Sequence, residues 1–145
     1  MALGVLGAGI LGRGLSPRLA ARVLSLGVAL SAGLAMTAGP WIANAGNGGA
    51  CAYRIRWGRP CVGCGGTHAF RRAVAGDLTG AARLNVLGAF AGVASWLMVI
   101  GGIVGAVTGR LRPVIAAGLV VTVMTPVVAA AAWIRWMSVV ARPWP

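Results

Sequence analysis

Three cysteines and one histidine are the residues of this chain with the most chemistry to offer, and they fall close together. They read Cys51-x9-Cys61-x2-Cys64, with His68 one helical turn after Cys64. Cys51, Cys61, Cys64 and His68 form a candidate Cys3His set, and zinc binds four such ligands tetrahedrally. A Cys-x2-Cys pair supplies two thiolates from one tight turn, and Gly63, Gly65 and Gly66 permit that turn. The spacing matches no standard zinc finger, so two other readings stand beside metal binding. Arg71 and Arg72 next to His68 favour a neutral imidazole and low thiol pKa values, which suits a metal and equally a redox pair. In the redox reading Cys61 and Cys64 exchange disulfide with a partner, one thiolate attacking and the other resolving. In the third, the thiols are small packing residues, or an oxidised pair staples the loop. Asp77 is the only acid and His68 the only histidine, which leaves hydrolysis without a carboxylate pair or a complete triad.

The elements that hold these residues are set by lipid. Hydrophobic residues make up 59% of the 145 positions and glycine takes another 24, against about 45–50% for both together in soluble domains. Mean hydropathy is +0.87. The 13 cationic residues are all arginine and give a net charge of +12. An arginine at the bilayer centre costs about 2.5–3.5 kcal/mol, so the gaps between arginines mark the spans. Residues 23–53, 84–109 and 113–134 are uncharged runs of 31, 26 and 22 residues, each longer than the roughly 20 helical residues that cross a bilayer. The expectation is an all-α membrane protein, a single integral domain over 1–145, with transmembrane helices at about 23–42, 85–108 and 114–134. A rival reading makes the first run a signal peptide, since Ala43-Asn44-Ala45 resembles a cleavage site; its length is closer to a span than to a signal core.

The connection at about 43–84 then contains every cysteine, the histidine, the acid and six arginines. Thr67 is a candidate cap for a short helix, Thr67 to Ala75, with His68, Arg71 and Arg72 on one face and Phe70, Ala73 and Val74 on the other. That pattern predicts a helix lying in the headgroup interface. Asp77 is a candidate cap for a second helix that begins at Leu78 and runs into the bilayer near Asn85. With three crossings, the end of the third span returns to the cysteine side, which gathers Trp41, Tyr53, Trp57, Trp133, Trp136 and Trp144 into one aromatic belt. That side carries eight arginines and the other five, so the positive-inside count favours a cytoplasmic cysteine loop, while the arginines before the first span argue the reverse.

Within the second span, Gly88, Gly92 and Gly102 share one stripe, and Gly101, Gly105 and Gly109 a second. Small residues four apart let helix backbones approach closely, so these stripes are candidate packing surfaces toward the neighbouring spans, another membrane protein or a second copy. On that reading Gly105→Leu would alter an assembly. The dispersed arginines fit anionic lipid headgroups and argue against nucleic acid as a partner.

The run Cys51-x2-Arg54-x3-Gly58-x2-Cys61-x-Gly63-Cys64-Gly65-x-Thr67, followed by Gly76-Asp77, Ala82 and Asn85, resembles the bacterial membrane family catalogued as domain of unknown function 2752. The likeness covers about Cys51 to Leu87. Val62 stands where that family usually has proline, His68 where it has arginine, and Val86 where proline follows the asparagine. The resemblance implies a multi-pass protein of the bacterial plasma membrane that keeps its first span, and it implies that His68 is no essential ligand. It brings no reaction with it, since the family has no established activity. Two function classes therefore remain: a membrane binding or assembly module whose cysteine loop holds a metal such as zinc, and a membrane thiol-disulfide oxidoreductase.

Overall fold

A computed structural model describes residues 16–45 and 51–140. Among these residues there are six helices and no strand: α1 (Pro17–Ala45), α2 (Ala52–Trp57), α3 (Gly66–Val74), α4 (Leu78–Leu84), α5 (Val86–Thr108) and α6 (Arg112–Val140). Three are long and apolar enough to cross a membrane, over Pro17–Gly39, Val86–Thr108 and Arg112–Ser138. The chain is thus an all-α, three-span protein with its cysteine region between the first and second spans. The helices of the first and third spans, α1 and α6, run past the charge-free stretches and carry Arg18, Arg22, Arg112 and Arg135, which the long arginine stem tolerates by reaching toward headgroups. Outward apolar side chains such as Leu34, Val107 and Ile134 fit lipid contact. Arg13, Arg142, Trp144 and the loop at 46–50 lie outside the described residues.

The second span, α5, sits between α1 and α6 and also receives α3. Its glycines make that possible, but they divide among three neighbours rather than two. Gly102 and Gly105 meet α1: a Cβ on Gly102 would stand 2.7 Å from the Ser25 carbonyl oxygen and 2.8 Å from the Ala29 Cβ. Gly101 meets α6, where a Cβ would lie 3.1 Å from the Pro113 oxygen and 3.2 Å from the Ala117 Cβ. Gly88 and Gly92 meet neither span; they face Gly66 and Ala73 of α3. Gly109 ends α5 in a left-handed turn at φ +66, its N–H donating to the Gly105 carbonyl. Since Gly105 is already filled by Ser25 of the same chain, a leucine there strikes this fold before it reaches any partner.

The connection is more structured than a loop with one surface helix. The α2 helix, AYRIRW, has no periodic signal long enough to announce it. The α3 helix starts one residue earlier than its expected limit, and its N-cap is Gly65 at φ +79, so Thr67 lies inside the first turn and is not the cap. A glycine wins that position because the backbone there is left-handed, which a threonine resists. The helix buries Ala69 and Ala73 against α5 and leaves His68, Arg71 and Arg72 exposed. It therefore lies across the first turns of the second span, a closer packing than a helix floating among headgroups. Asp77 caps α4 by accepting the Gly80 N–H at 2.8 Å. Its ion pair with Arg72, 3.4 Å long with both side chains about half exposed, adds little. Finally, the helix expected to run unbroken from Leu78 into the bilayer is two helices. Asn85, at φ −158 and ψ 120, is extended and separates α4 from α5.

Candidate metal centre

The cysteine site is built from short turns. Cys51 precedes α2 with an extended backbone. That helix closes at Gly58, whose φ of +67 permits the reversal that sends Pro60 and Cys61 back toward Cys51. Two further turns follow, from the Cys64 N–H to the Cys61 carbonyl at 3.1 Å and from the Gly66 N–H to the Gly63 carbonyl at 2.9 Å. The result brings all three thiols together. Cys51 and Cys61 Sγ are 3.3 Å apart, Cys61 and Cys64 Sγ 3.5 Å, and all three lie within 4.8 Å of one another. The Cys61 backbone N–H donates to Cys64 Sγ at 3.2 Å.

These separations suit a shared ion. Tetrahedral zinc with Zn–S bonds of about 2.3 Å holds its sulfurs roughly 3.8 Å apart, so the trio needs only a small adjustment. The three cysteines are free thiols, each half-buried. Their acidities differ. Cys51 is lowered to about 7, first by the Arg54 backbone N–H in the opening turn of α2 and then by the Cys61 and Cys64 side chains. Cys64 is raised to about 11, chiefly because burial disfavours its charged form. Cys51 thus carries the more acidic thiol and Cys64 the less acidic one, and a metal ion would have to displace the Cys64 proton on binding. His68 is not among the clustered groups: it is exposed on α3 and lies outside the trio. The helix phase that buries Ala69 and Ala73 leaves His68 on the exposed face.

Asn85 and Trp136, which the sequence does not mark as a site, hold the cysteine turns in place, and Arg135 holds the α4 helix beside them. Asn85, buried at 8% exposure, uses both ends of its amide. Its Oδ1 accepts the Gly88 N–H at 3.0 Å, capping α5, and its Nδ2 donates to the Val62 and Cys64 carbonyls at 2.8 and 3.0 Å. Trp136, from the end of the third span, donates its indole N–H to the Pro60 carbonyl at 2.9 Å. Arg135 beside it donates Nη1 to the Ala82 carbonyl at 2.7 Å and Nη2 to the Arg83 carbonyl. Those are last-turn carbonyls of α4, which have no partner within their own helix and carry its negative dipole end. Trp96 makes a similar bond from within the second span to the Val74 carbonyl, 3.2 Å away, at the end of α3. The available signals were a lone Asn at the head of a span and an Arg-Trp pair at the foot of another. Neither names its partner, because the contacts join residues 21 to 76 positions apart.

The Arg135 contact makes a direct prediction. Arg135→Lys keeps the charge but loses the planar fork that reaches two carbonyls. Loosening should cost about 1–2 kcal/mol and raise the alkylation rate of Cys61 and Cys64 roughly tenfold. A lysine variant with wild-type thiol reactivity would show that charge alone suffices.

Together these features define a small multi-pass membrane protein whose second and third spans carry a compact three-cysteine module. Residues 51–99, from the first cysteine into the middle of the second span, match the model of a family described as "Protein of unknown function (DUF2752)". The family resemblance read over about Cys51 to Leu87 is supported over that segment. No curated protein and no solved structure matches the chain.

Proposed function

We propose that this chain is a single integral domain of the bacterial plasma membrane that binds one thiophilic metal ion, zinc foremost, through Cys51, Cys61 and Cys64. The carrying observation is the mutual approach of the three sulfurs to within 4.8 Å. Thiolate ligands select zinc and copper(I) over harder cations. The chemistry is that of a binding module. The ion ties α2 to the turn before α3, Asn85 and Trp136 tie that turn to the second and third spans, and Arg135 ties the end of α4 to the third. Metal binding would thereby fix the basic surface that the connection presents to anionic lipid and to a membrane partner or second copy.

The test is metal content by mass spectrometry on detergent-purified protein, wild type beside Cys61→Ser/Cys64→Ser, with free thiols counted on the same samples. Near-stoichiometric zinc or copper, lost in the double variant, is the expected result. Three free thiols and no metal after reduction and reconstitution would sink the proposal.

A second reading rests on the 3.3 Å between Cys51 and Cys61. A Cys51 thiolate attacks a partner disulfide, forming a mixed disulfide and expelling one partner thiolate. Cys61 then attacks the Cys51 sulfur, expelling the second thiolate, so two electrons pass to the partner and a Cys51–Cys61 disulfide remains. Two missing thiols with no metal in the same assay would favour this reading.

A further inference from the structure

Structural zinc sites are closed by four protein ligands, whereas three protein ligands leave a position for water or an exchangeable group. Among the described residues only three groups converge here, and His68 is not one of them. Beside Cys61 and Cys64 lies a cavity of about 180 Å³, walled by Pro60, Asn85, Arg135 and Trp136 and floored by Ala132. A dry cavity of roughly 150 Å³ holds a molecule the size of benzene, so this one admits a ligand of several heavy atoms. One cationic side chain lines it and no carboxylate does. Arg135 is in its wall, Arg54, Arg56, Arg59, Arg71, Arg72 and Arg83 belong to the same connection, and the chain's one acid, Asp77, is engaged with Arg72. Only two N–H groups of Arg135 are spent on the α4 carbonyls, and a guanidinium has five.

Resting on the metal-binding reading, we infer that the three-cysteine centre keeps an exchangeable fourth position served by this cavity, and that its occupant is a small anionic soft donor, a thiolate. The incoming thiolate replaces a bound water. Its sulfur donates a lone pair to the ion, the water leaves intact, and no oxidation state changes. The site is then an open metal centre at the membrane surface, suited to carrying an ion that another thiolate can take hold of, rather than a buried staple. Asn85 and Trp136 hold the Pro60–Cys64 turn that forms one wall, so the opening is part of the fold.

The experiment uses the full chain in lipid nanodiscs, reconstituted with cobalt(II), whose ligand-field bands report coordination. It is titrated with 2-mercaptoethanol, and metal content is measured at every point. Wild type is expected to retain cobalt and show a saturable band shift. Ala132→Leu, which adds bulk at a lining residue that is not itself a cysteine, is expected to retain cobalt but bind the thiol at least about tenfold more weakly. Cobalt retained with bands that do not move, or that move equally in both proteins, overturns the exchangeable position while leaving metal binding intact. Cobalt not bound by wild type at all overturns the metal reading itself. Should Ala132→Leu fail to fold, the wild-type titration decides alone.

Discussion

On the metal-binding proposal, Asn85→Asp is expected to weaken metal binding by roughly a hundredfold or more, even though aspartate is as good a helix cap as asparagine. The carboxylate still accepts the Gly88 N–H, now 3.0 Å from Oδ1, and the dipole of α5 would welcome the charge. The other end of the side chain decides the outcome. Nδ2 donates to the Val62 and Cys64 carbonyls at 2.8 and 3.0 Å, and aspartate places an oxygen there, facing two oxygens in a site 8% exposed. Losing two buried donors and adding repulsion costs about 3–5 kcal/mol, well above the fraction of a kcal/mol that the charged cap adds. Asn85→Ala loses the same two donor bonds and the Gly88 cap as well, without the repulsion, and should also lose affinity. Chelator competition measures the affinity, and alkylation rates of Cys61 and Cys64 report the loosened turn. If capping were the whole role of Asn85, the aspartate variant would match wild type in both.

What could be read from the residues follows from which interactions are local. The spans were legible because a charge in lipid is costly, so gaps between arginines are a direct trace of solvent. Asp77 as the cap of α4 was legible because a cap bonds three residues ahead, to Gly80. The cysteine cluster was legible through its short x2 and x9 spacings. His68 was drawn into the candidate set on spacing alone, and Thr67 into the cap on residue type alone. The left-handed Gly65 took the cap from Thr67, while His68 stays exposed on the face it shares with Arg71 and Arg72. A conformation of one glycine is not written in a periodic pattern.

The supports of the site were harder to foresee. Asn85 was visible as the head of a span, yet its bonds to Val62 and Cys64 depend on the cysteine turn folding back over it. Arg135 was assigned to the membrane face by its charge, and its hold on the end of α4 requires the third span to return beside the second. The crossing count predicted that return to the same side without predicting the contact. The pair of helices α3 and α4 occupies what a reading by hydropathy treats as a surface connection, because its buried residues are alanines, Ala69, Ala73 and Ala81, rather than large side chains.

That small-residue face gives the sharpest mutational contrast. Gly88→Ala is expected to unseat α3 from the second span, whereas Gly27→Ala is expected to leave the protein intact or slightly more stable. A Cβ at Gly88 falls on the Gly66 carbonyl, backbone against backbone, so no side chain can rotate away to relieve it. The shift needed also disturbs the cap between the Gly88 N–H and Asn85, and a loss of about 3 kcal/mol or more follows. At Gly27 nothing lies within 4 Å of the added methyl, so alanine brings only its better helix propensity, about 0.5–1 kcal/mol. Heating detergent-solubilised protein while a fluorogenic maleimide reports thiol exposure reads both effects. The Gly88 variant should expose its cysteines at markedly lower temperature, and the Gly27 variant at the wild-type temperature or above. Equal melting of Gly88→Ala and wild type would mean that α3 is not seated on these glycines. The contrast also bears on assembly. Gly88, Gly92, Gly101, Gly102 and Gly105 are all filled from within the chain, so a partner or second copy must be met by other surfaces, of which Gly27, Gly33 and Gly118, open to their surroundings, offer close approach without disturbing the fold.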